Sequence, residues 1–350
     1  MHAASRLLFA RAPGWKGLCL RRFFTLFLCW ASIAWGQTTH PIIIQFSHVV
    51  AADTPKGRAA LRFKELAEAR TGGRVQVEVY ANSQLYQDRE ELEALRLGAV
   101  QMLAPSLSKL AGTGISDFEV FDLPFLFRSH ADFHAIADGP IGSQLLHKLE
   151  AQGFKGLAFW DNGFKVFSAN RPLRRVEDFQ GLKFRVQASR TLVEQMKALQ
   201  AEPSVSTFVN VHDALQSGKL DGQENTPINI SSQHLNQVQT HLTLSNHGYL
   251  AYAVLVNQAF WDRLPASIRP VLEGALRDAT AFENGLAETE NAKALERIQN
   301  AGNMHIYRPT AGELRAWAQT MNAVYAKSRA WIDPQLLSAV QAQLRTAPRE

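Results

Sequence analysis

The chain has 350 residues, and its 37 lysine and arginine residues outnumber its 32 aspartate and glutamate residues. Five of the basic residues and none of the acidic ones lie before residue 23, so the rest of the chain carries 32 of each sign. This balance excludes the strongly basic surface that is typical of nucleic-acid-binding proteins, and the length allows two compact domains.

The first 36 residues have the layout of a secretory signal peptide. A basic segment precedes the apolar run FFTLFLCWASIA, and small residues follow in AWGQ. The run is too short for a membrane span, and no later segment has the ~18 consecutive apolar residues that a span needs. We therefore predict a signal peptide over residues 1–36 and export to the periplasm. Both cysteines, Cys19 and Cys29, lie in this segment, so the predicted mature chain has no disulfide.

Two alternatives remain for this leading segment. It could be retained as an N-terminal anchor, or Cys29 could carry a lipid. Leu28 argues against the lipid, because it is large for the residue before a lipid-bearing cysteine.

Strands and helices alternate in the first part of the predicted mature chain. The predicted elements are a strand PIIIQFS (41–47), a helix in DTPKGRAALRFKELAEARTGG (53–73), a strand RVQVEVY (74–80), a helix DREELEALRLG (88–98) and a strand AVQMLAPS (99–106). The strands are rich in β-branched residues or alternate in polarity, and the second helix has Asp88 as its predicted N-cap with Glu91 as partner. This order is typical of a parallel sheet covered by helices.

A second α/β block follows, and the chain ends in helices. Its predicted elements are the segment GLAFW (156–160), the strands NGFKVFSANRPL (162–173) and GLKFRVQ (181–187), a helix capped by Ser189, a short helix in VNVHDALQSGKLDG (209–222), a strand SNHGYLAYAVLVN (245–257) and helices over 265–345, one of them beginning at the capping box TAGE (310–313). The blocks over about 41–160 and 161–247 predict two lobes, with the chain crossing between them.

The motifs that mark common enzymes are missing from the sequence. It has no Gly-x-Ser-x-Gly, no phosphate-binding loop, no Gly-x-Gly-x-x-Gly and no thiol beyond the predicted signal peptide. The histidines lack the spacing of a zinc site. We therefore predict a protein that is not an enzyme and that uses neither a metal nor a cofactor. A Ser/His/Asp triad stays an open alternative, because its members need not be adjacent in sequence.

Polar residues follow several of the predicted strands, where open α/β sheets place their ligands. Arg185 in GLKFR is the strongest candidate, because a planar guanidinium can donate two hydrogen bonds to one carboxylate. Its structural alternative is an internal salt bridge. The other candidates are Lys165 (second cation or surface lysine), Asn225 (amide donor or turn cap), His48 (ligand contact or core histidine), Ser106 (ligand contact or helix cap), and His247 and Tyr249 (strand-end donors or packing residues).

Eight segments carry a resemblance to a known family. They are FSHVVAADTPKG, VYANSQLYQDREELEALRLGAVQMLAPS, FEVFDLPFLF, GLAFWDNGFK, SANRPL, GLKFRVQAS, DGQENT and SNHGYLAYAVLVN. Over about 42–340 the chain resembles the DctP family, the periplasmic solute-binding proteins of tripartite ATP-independent periplasmic (TRAP) transporters. Within that family it is most similar to the branch that binds C4-dicarboxylates such as malate, succinate and fumarate.

The resemblance implies the α/β fold of a two-lobed periplasmic binding protein, with a hinge, a central ligand cleft and a long helix that spans both lobes. We expect lobe I to comprise residues 37–160 plus about 248–290. Lobe II is then expected to comprise residues 161–247 plus about 291–350, including the C-terminal helices.

The resemblance also implies roles for the candidate residues. The arginine of GLKFR, here Arg185, would clamp a ligand carboxylate, and the asparagine of GQEN, here Asn225, would contact the ligand. Lys165 would fit a second acidic group. The further cleft contacts implied in this way are His48, Ser106, His247 and Tyr249.

The expected function is therefore capture of a small organic acid, a C4-dicarboxylate in this branch, and its delivery to membrane TRAP permease subunits. We expect a monomer with no nucleic-acid partner. The alternatives are a ligand sensor of the same fold that serves a signalling partner, or a receptor for a monocarboxylate or a sugar acid. The identity of the acid stays open, because Asn210 and His212 stand where relatives often carry Glu and Tyr, and Thr226 separates Asn225 from Pro227.

Overall fold

The computed structural model describes residues 40–346. The predicted signal peptide over residues 1–36 lies outside the described residues, together with both alternatives for it, and so do residues 347–350. Within residues 40–346, no helix combines the length and the apolar character that crossing a membrane requires.

The described part of the chain contains nine strands and eleven α-helices. The strands are β1 (Ile42–Ser47), β2 (Val75–Tyr80), β3 (Met102–Leu103), β4 (Phe154–Ala169), β5 (Lys183–Val186), β6 (Glu202–Val205), β7 (Gly222–Asn225), β8 (His241–Asn257) and β9 (His305–Tyr307). The helices are α1 (Pro55–Thr71), α2 (Glu91–Arg96), α3 (His130–Ala137), α4 (Pro140–Lys148), α5 (Arg190–Ala198), α6 (Val211–Gln216), α7 (Pro227–Ser232), α8 (Gln258–Arg263), α9 (Arg269–Ala301), α10 (Ala311–Ser328) and α11 (Pro334–Thr346).

All nine strands form one sheet, in the order β2-β1-β3-β8-β4-β7-β5-β6, with β9 paired to β8. Strand β1 runs parallel to β2 and β3, which confirms the parallel sheet predicted for the first block. Strand β5 runs parallel to β6 and β7, two strands that the sequence analysis did not predict. We call β2, β1 and β3 the first half of the sheet, and β7, β5 and β6 the second half. Between them lies the antiparallel pair of β4 and β8.

The pair of β4 and β8 is long enough to run beside both halves. Near one end of the pair, Leu255 and Val256 of β8 face β3, and near the other end, Val166 to Ala169 of β4 pair with β7. Helix α9 has 33 residues, about 50 Å of helix, and packs against α1 beside the first half and α7 beside the second. The long helix α9 therefore runs beside both halves, as the paired strands β4 and β8 do. The boundaries expected for the two lobes stay a prediction.

Strand β4 differs from its prediction, because GLAFW and NGFKVFSA form one strand. Its register against β8 shifts between Asp161 and Gly163, and Gly163 has a φ of 114°. This left-handed region is open to glycine at little cost, so the strand can bulge where the two predicted segments meet.

Two of the predicted helix caps are confirmed and one is wrong. Ser189 caps α5, and Thr310 and Glu313 form the predicted capping box of α10. The prediction that Asp88 caps α2 is wrong, because the residue before α2 is Glu90, which makes no side-chain capping bond. Asp88 instead pairs with the ammonium of Lys109, a stronger partner for a buried carboxylate than a backbone N–H.

Candidate functional site

A small pocket lies between the two halves of the sheet. Its polar walls on the side of the first half are Lys56, Asp88, Ser106 and Lys109. On the side of the second half they are Arg185, Gln187, Asn225 and Asn229. Tyr252 of β8 and several apolar side chains complete the lining. The pocket thus brings together three of the seven predicted site residues, Arg185, Asn225 and Ser106.

Arg185 reaches the pocket because of its position in β5. Phe184 and Val186 point into a hydrophobic cluster, and the alternation of side chains along a strand sends Arg185 to the opposite face. The residue is 2% exposed, and its Nε and Nη2 donate to the backbone oxygen of Ser206 at 3.2 and 3.0 Å. The guanidinium also lies 5.7 Å from the ring of Phe208.

No ion pair within residues 40–346 includes Arg185, and its Nη1 makes no hydrogen bond to the described residues. Burial lowers the pKa of Arg185 from its usual value, and the charges of Asp88 and Glu224 offset part of that effect. A buried cation of this kind lacks the close counter-charge that normally accompanies burial.

Asn225 ends β7 with a fixed side-chain amide. Its Oδ1 accepts hydrogen bonds from the backbone N–H of Thr226 at 3.0 Å and from Nδ2 of Asn229 at 2.9 Å. Both bonds occupy the acceptor, so Nδ2 remains as the donor of Asn225 in the pocket. An amide N–H held in this way suits a carboxylate or hydroxyl oxygen.

Lys56 is a cation of the pocket that the sequence analysis missed. It lies in the first turn of α1, is 1% exposed, and donates from Nζ to the backbone oxygen of Ala104 at 3.0 Å. The same Nζ lies 3.6 Å from the centre of the Tyr252 ring. Burial and the charge of Lys109 lower the pKa of Lys56 to about 7, despite nearby carboxylates. A lysine in the first turn of a helix is unfavourable, because it lies at the positive end of the helix dipole. The position of Lys56 in TPKG, at the predicted helix start, could therefore have indicated a special role.

Lys109 is also buried beside the pocket, but its charge is balanced within the protein. Its Nζ pairs with Asp88 and lies 2.6 Å from Oε1 of Glu91. Burial would raise the pKa of Asp88, but Lys109 and Arg185 hold it at about 2. Two other cations, Lys56 and Arg185, therefore face the pocket without a paired carboxylate.

Two hydrogen bonds connect the halves of the sheet across the pocket. Oγ of Ser106 donates to Oε1 of Gln187, and the backbone N–H of Phe208 donates to Oδ2 of Asp88. Ser106 thus lines the pocket as a tie between its walls. The pocket is closed over by side chains from both halves.

Lys165 and His247, two of the predicted ligand contacts, lie outside the lining of the pocket. Lys165 is fully buried, with Nζ 2.8 Å from Oε2 of Glu224, and Nε2 of His247 lies 3.0 Å from the same oxygen. Burial would raise the pKa of Glu224, but Lys165 and His247 hold it at about 2. The ring of His247 stacks on Phe167, 3.6 Å away between centroids. Lys165 is therefore neither a free second cation nor a surface lysine, because the neighbouring strand supplies its carboxylate.

Tyr249 and His48 are also absent from the lining of the pocket. The hydroxyl of Tyr249 donates to Oδ1 of Asp161 at 2.7 Å, and its ring stacks on Phe133 with centroids 4.7 Å apart. His48 is 1% exposed, and neither ring nitrogen has a hydrogen-bond partner within the described residues. Burial and the charge of Lys56 lower the pKa of His48 to about 3, so its ring is neutral. These surroundings fit the alternative roles, a packing residue for Tyr249 and a core histidine for His48, better than a ligand contact.

The residues that could hold a metal are not grouped in the described chain. Within residues 40–346, no three histidine or carboxylate side chains are arranged around a common point that could hold an ion.

Residues 46–330 match the DctP family, described as bacterial extracellular solute-binding protein, family 7. This match covers most of the chain. The chain belongs to the DctP family.

Relatives of this DctP-family chain share most of its length. The C4-dicarboxylate-binding periplasmic protein DctP of Rhodobacter capsulatus is 53% identical over 302 residues, which are 86% of this chain and 91% of the relative. A solved TRAP periplasmic solute-binding protein from Shewanella oneidensis, with bound succinate, has a TM-score of 0.85 and 40% identity, covering 87% of this chain and 99% of its own. Another from Pseudomonas aeruginosa, with bound L-malate, has a TM-score of 0.80 and 40% identity, covering 82% and 100%.

These comparisons establish the fold class of the DctP-family chain. Its mixed α/β sheet with covering helices is that of the two-lobed TRAP solute-binding proteins. The pocket around Arg185 lies between the two halves of this sheet.

Proposed function

We propose that this DctP-family protein captures a C4-dicarboxylate in the pocket around Arg185 and delivers it to the membrane permease subunits of a TRAP transporter. The observation that carries this proposal is the charge of the pocket. Arg185 and Lys56 are buried basic side chains without a carboxylate partner among the described residues, whereas the neighbouring Lys109 has two. A ligand with two carboxylates supplies the two missing partners.

The chemistry of the pocket suits this ligand class. Arg185 can place two N–H donors on one carboxylate, Asn225 adds an amide donor, and Lys56 meets the second carboxylate from the other wall. Ion pairs formed away from water are stronger than the same pairs in solvent, so enclosure favours a doubly charged ligand over a singly charged one. The name of the Rhodobacter relative and the succinate and L-malate bound to the solved neighbours support the same class.

Capture requires the two halves to part, because the pocket is closed over by residues of both. A ligand shifts the equilibrium between open and closed forms only as far as it binds the closed form better. A diacid that contacts Arg185 on one wall and Lys56 on the other has this property.

The setting of the protein completes the proposal. It is exported to the periplasm by the signal peptide predicted over residues 1–36, and it acts there as a monomer with no nucleic-acid partner. It is a receptor that releases its acid chemically unchanged and is not an enzyme. Its relatives' descriptions as periplasmic binding proteins support this location and role.

The test is a calorimetric titration of the chain from residue 37 with L-malate, succinate and fumarate, and with butyrate and galactonate as a monocarboxylate and a sugar acid. Arg185→Ala should weaken malate binding on the order of 100-fold or more, because it removes one partner of a buried charge pair. Arg308→Ala removes an exposed arginine outside the pocket and is the matched control.

Circular dichroism checks that both variants are folded. If folded Arg185→Ala titrates like the unmodified chain, the carboxylate clamp is refuted. Tighter binding of butyrate or galactonate than of every dicarboxylate would refute the ligand class. Recovery of a chemically altered acid would refute the receptor role.

A further inference from the structure

We propose that the pocket binds its diacid together with one proton, which Nζ of Lys56 accepts from solvent as the second carboxylate arrives. The inference rests on the proposed function, and it adds a role for Lys56 as the residue that distinguishes diacids from monoacids. No bond other than N–H is made: a neutral amine becomes an ammonium, and the ligand supplies the counter-charge.

Three buried lysines in this chain allow a direct comparison of their surroundings. Lys165 lies 2.8 Å from a carboxylate oxygen of Glu224, and Lys109 lies 2.6 Å from one of Glu91. Lys56 is equally buried, but its one hydrogen bond within residues 40–346 goes to the backbone oxygen of Ala104. That bond can be donated by a neutral amine as well as by an ammonium, so the site accepts both forms.

The charged and titratable groups that face Lys56 do not replace the missing counter-charge. These groups are His48 after β1, Asp88 before α2, Glu91 on α2, Lys109 after β3, Arg185 on β5, Tyr252 on β8 and Glu283 on α9. Asp88 and Glu91 are already paired with Lys109. Burial and the charge of Asp161 raise the pKa of Glu283 well above its usual value, so it favours the neutral form.

The consequence for the empty pocket is a lysine that titrates near neutrality. Burial, reinforced by Lys109, lowers the pKa of Lys56 to about 7. A ligand carboxylate beside Nζ stabilises the ammonium and raises this pKa again. Between the two values the complex holds one more proton than the separate partners, and the affinity therefore falls as the pH rises above about 7. From about pH 6 to about pH 8 the loss should be roughly tenfold.

Monoacids give the contrasting case. A monocarboxylate held by Arg185 brings no charge to Lys56, so its binding takes up no proton and depends little on pH in this range. The dependence of diacid affinity on pH is thus a signature of Lys56 that a purely structural role would not produce.

The experiment measures proton uptake by calorimetry with L-malate in pairs of buffers that differ in ionisation enthalpy, phosphate and Bis-Tris at about pH 6 and phosphate and Tris at about pH 8. We expect close to one proton taken up per malate at the higher pH and close to none at the lower. Lys56→Arg keeps a permanent charge and should bind malate without proton uptake. Lys56→Gln should weaken malate by at least tenfold near pH 6 and change butyrate binding less. Lys183→Gln removes an exposed lysine two residues before Arg185 and should behave like the unmodified chain.

Each outcome bears on one proposal. Tight malate binding with no proton uptake at either pH overturns the inference and leaves the proposed function standing. Proton uptake that persists in Lys56→Arg places the titrating group elsewhere and also overturns it. Failure of malate, succinate and fumarate alike to bind at any pH overturns the proposed function itself. If Lys56→Gln is unfolded by circular dichroism, the proton count of the unmodified chain and of Lys56→Arg decides the question.

Discussion

Lys165 lies on β4 and its ammonium is paired inside the protein, with Glu224 of the neighbouring strand and His247 close by. Such a triad is a different structure from a ligand site, since all of its charges are matched. Removing one partner leaves a charge buried without compensation, which is costly, whereas an exposed pair contributes little.

Lys165→Met should therefore lower the free energy of unfolding by about 3–5 kcal/mol. The control on the same strand is Lys155→Met, which breaks the half-exposed pair with Glu150 and should cost less than about 1 kcal/mol. Urea unfolding followed by circular dichroism measures both. A Lys165→Met protein of unchanged stability that has lost malate binding would reinstate Lys165 as a ligand contact.

Sequence reasoning at the scale of residues found one wall of the pocket better than the other. Arg185 lies near the end of the predicted strand GLKFRVQ, so its position followed from the rule that ligands lie at strand ends. Asn225 was named as a candidate from GQEN, although no strand was predicted there. Lys56 reaches the pocket from the first turn of a helix, and Lys109 from a 3₁₀ helix after β3 (Leu107–Thr113), so neither follows a strand. Their proximity depends on how distant segments pack, which spacing along the chain does not encode.

At the scale of elements, strand β4 shows what local sequence patterns predict and what they miss. The alternation of strands and helices predicted the parallel strands of the first half, since those patterns are local. The segments GLAFW and NGFKVFSANRPL were predicted separately, whereas they belong to one strand that contains Gly163. Pairing with β8 along nearly its whole length holds β4 together across that glycine.

Gly163→Ala should destabilise the protein by about 1–3 kcal/mol, because φ is 114° and an added Cβ would lie 3.2 Å from Nδ2 of Asn291 and 3.3 Å from His130. The control is Gly285→Ala in α9, where no atom lies within 4 Å of the added Cβ. It should stabilise the protein by about 0.5–1 kcal/mol, since alanine favours helix. Thermal unfolding compares the two, and equal effects would contradict the assigned role of the bulge.

The whole molecule joins its halves through two long strands and a long helix, with a pocket closed between the halves. Because the lining is shared, the arrangement of the halves and the occupancy of the pocket are coupled. Without a ligand, the pocket lacks the charges that would bridge its two walls. Few hydrogen bonds then connect the walls, such as the bond from Ser106 to Gln187.

We expect malate to make the protein more compact in solution. Small-angle X-ray scattering should give a radius of gyration near the about 20 Å of a compact chain of this length when malate is bound, and a larger value without it. Arg308→Ala should behave in the same way, and Arg185→Ala should stay expanded at malate concentrations that saturate the control. Identical scattering with and without malate in the unmodified chain would contradict closure.

The pairing of β3 with β8 also decides when this protein can fold during its synthesis. Met102 can pair only after Val256 has been synthesised, and Phe154 can pair only after Asn257 has been synthesised. A nascent chain therefore cannot complete its sheet until more than two thirds of it has left the ribosome. A polypeptide that ends before β8 therefore lacks the strand that connects the first half of the sheet to β4.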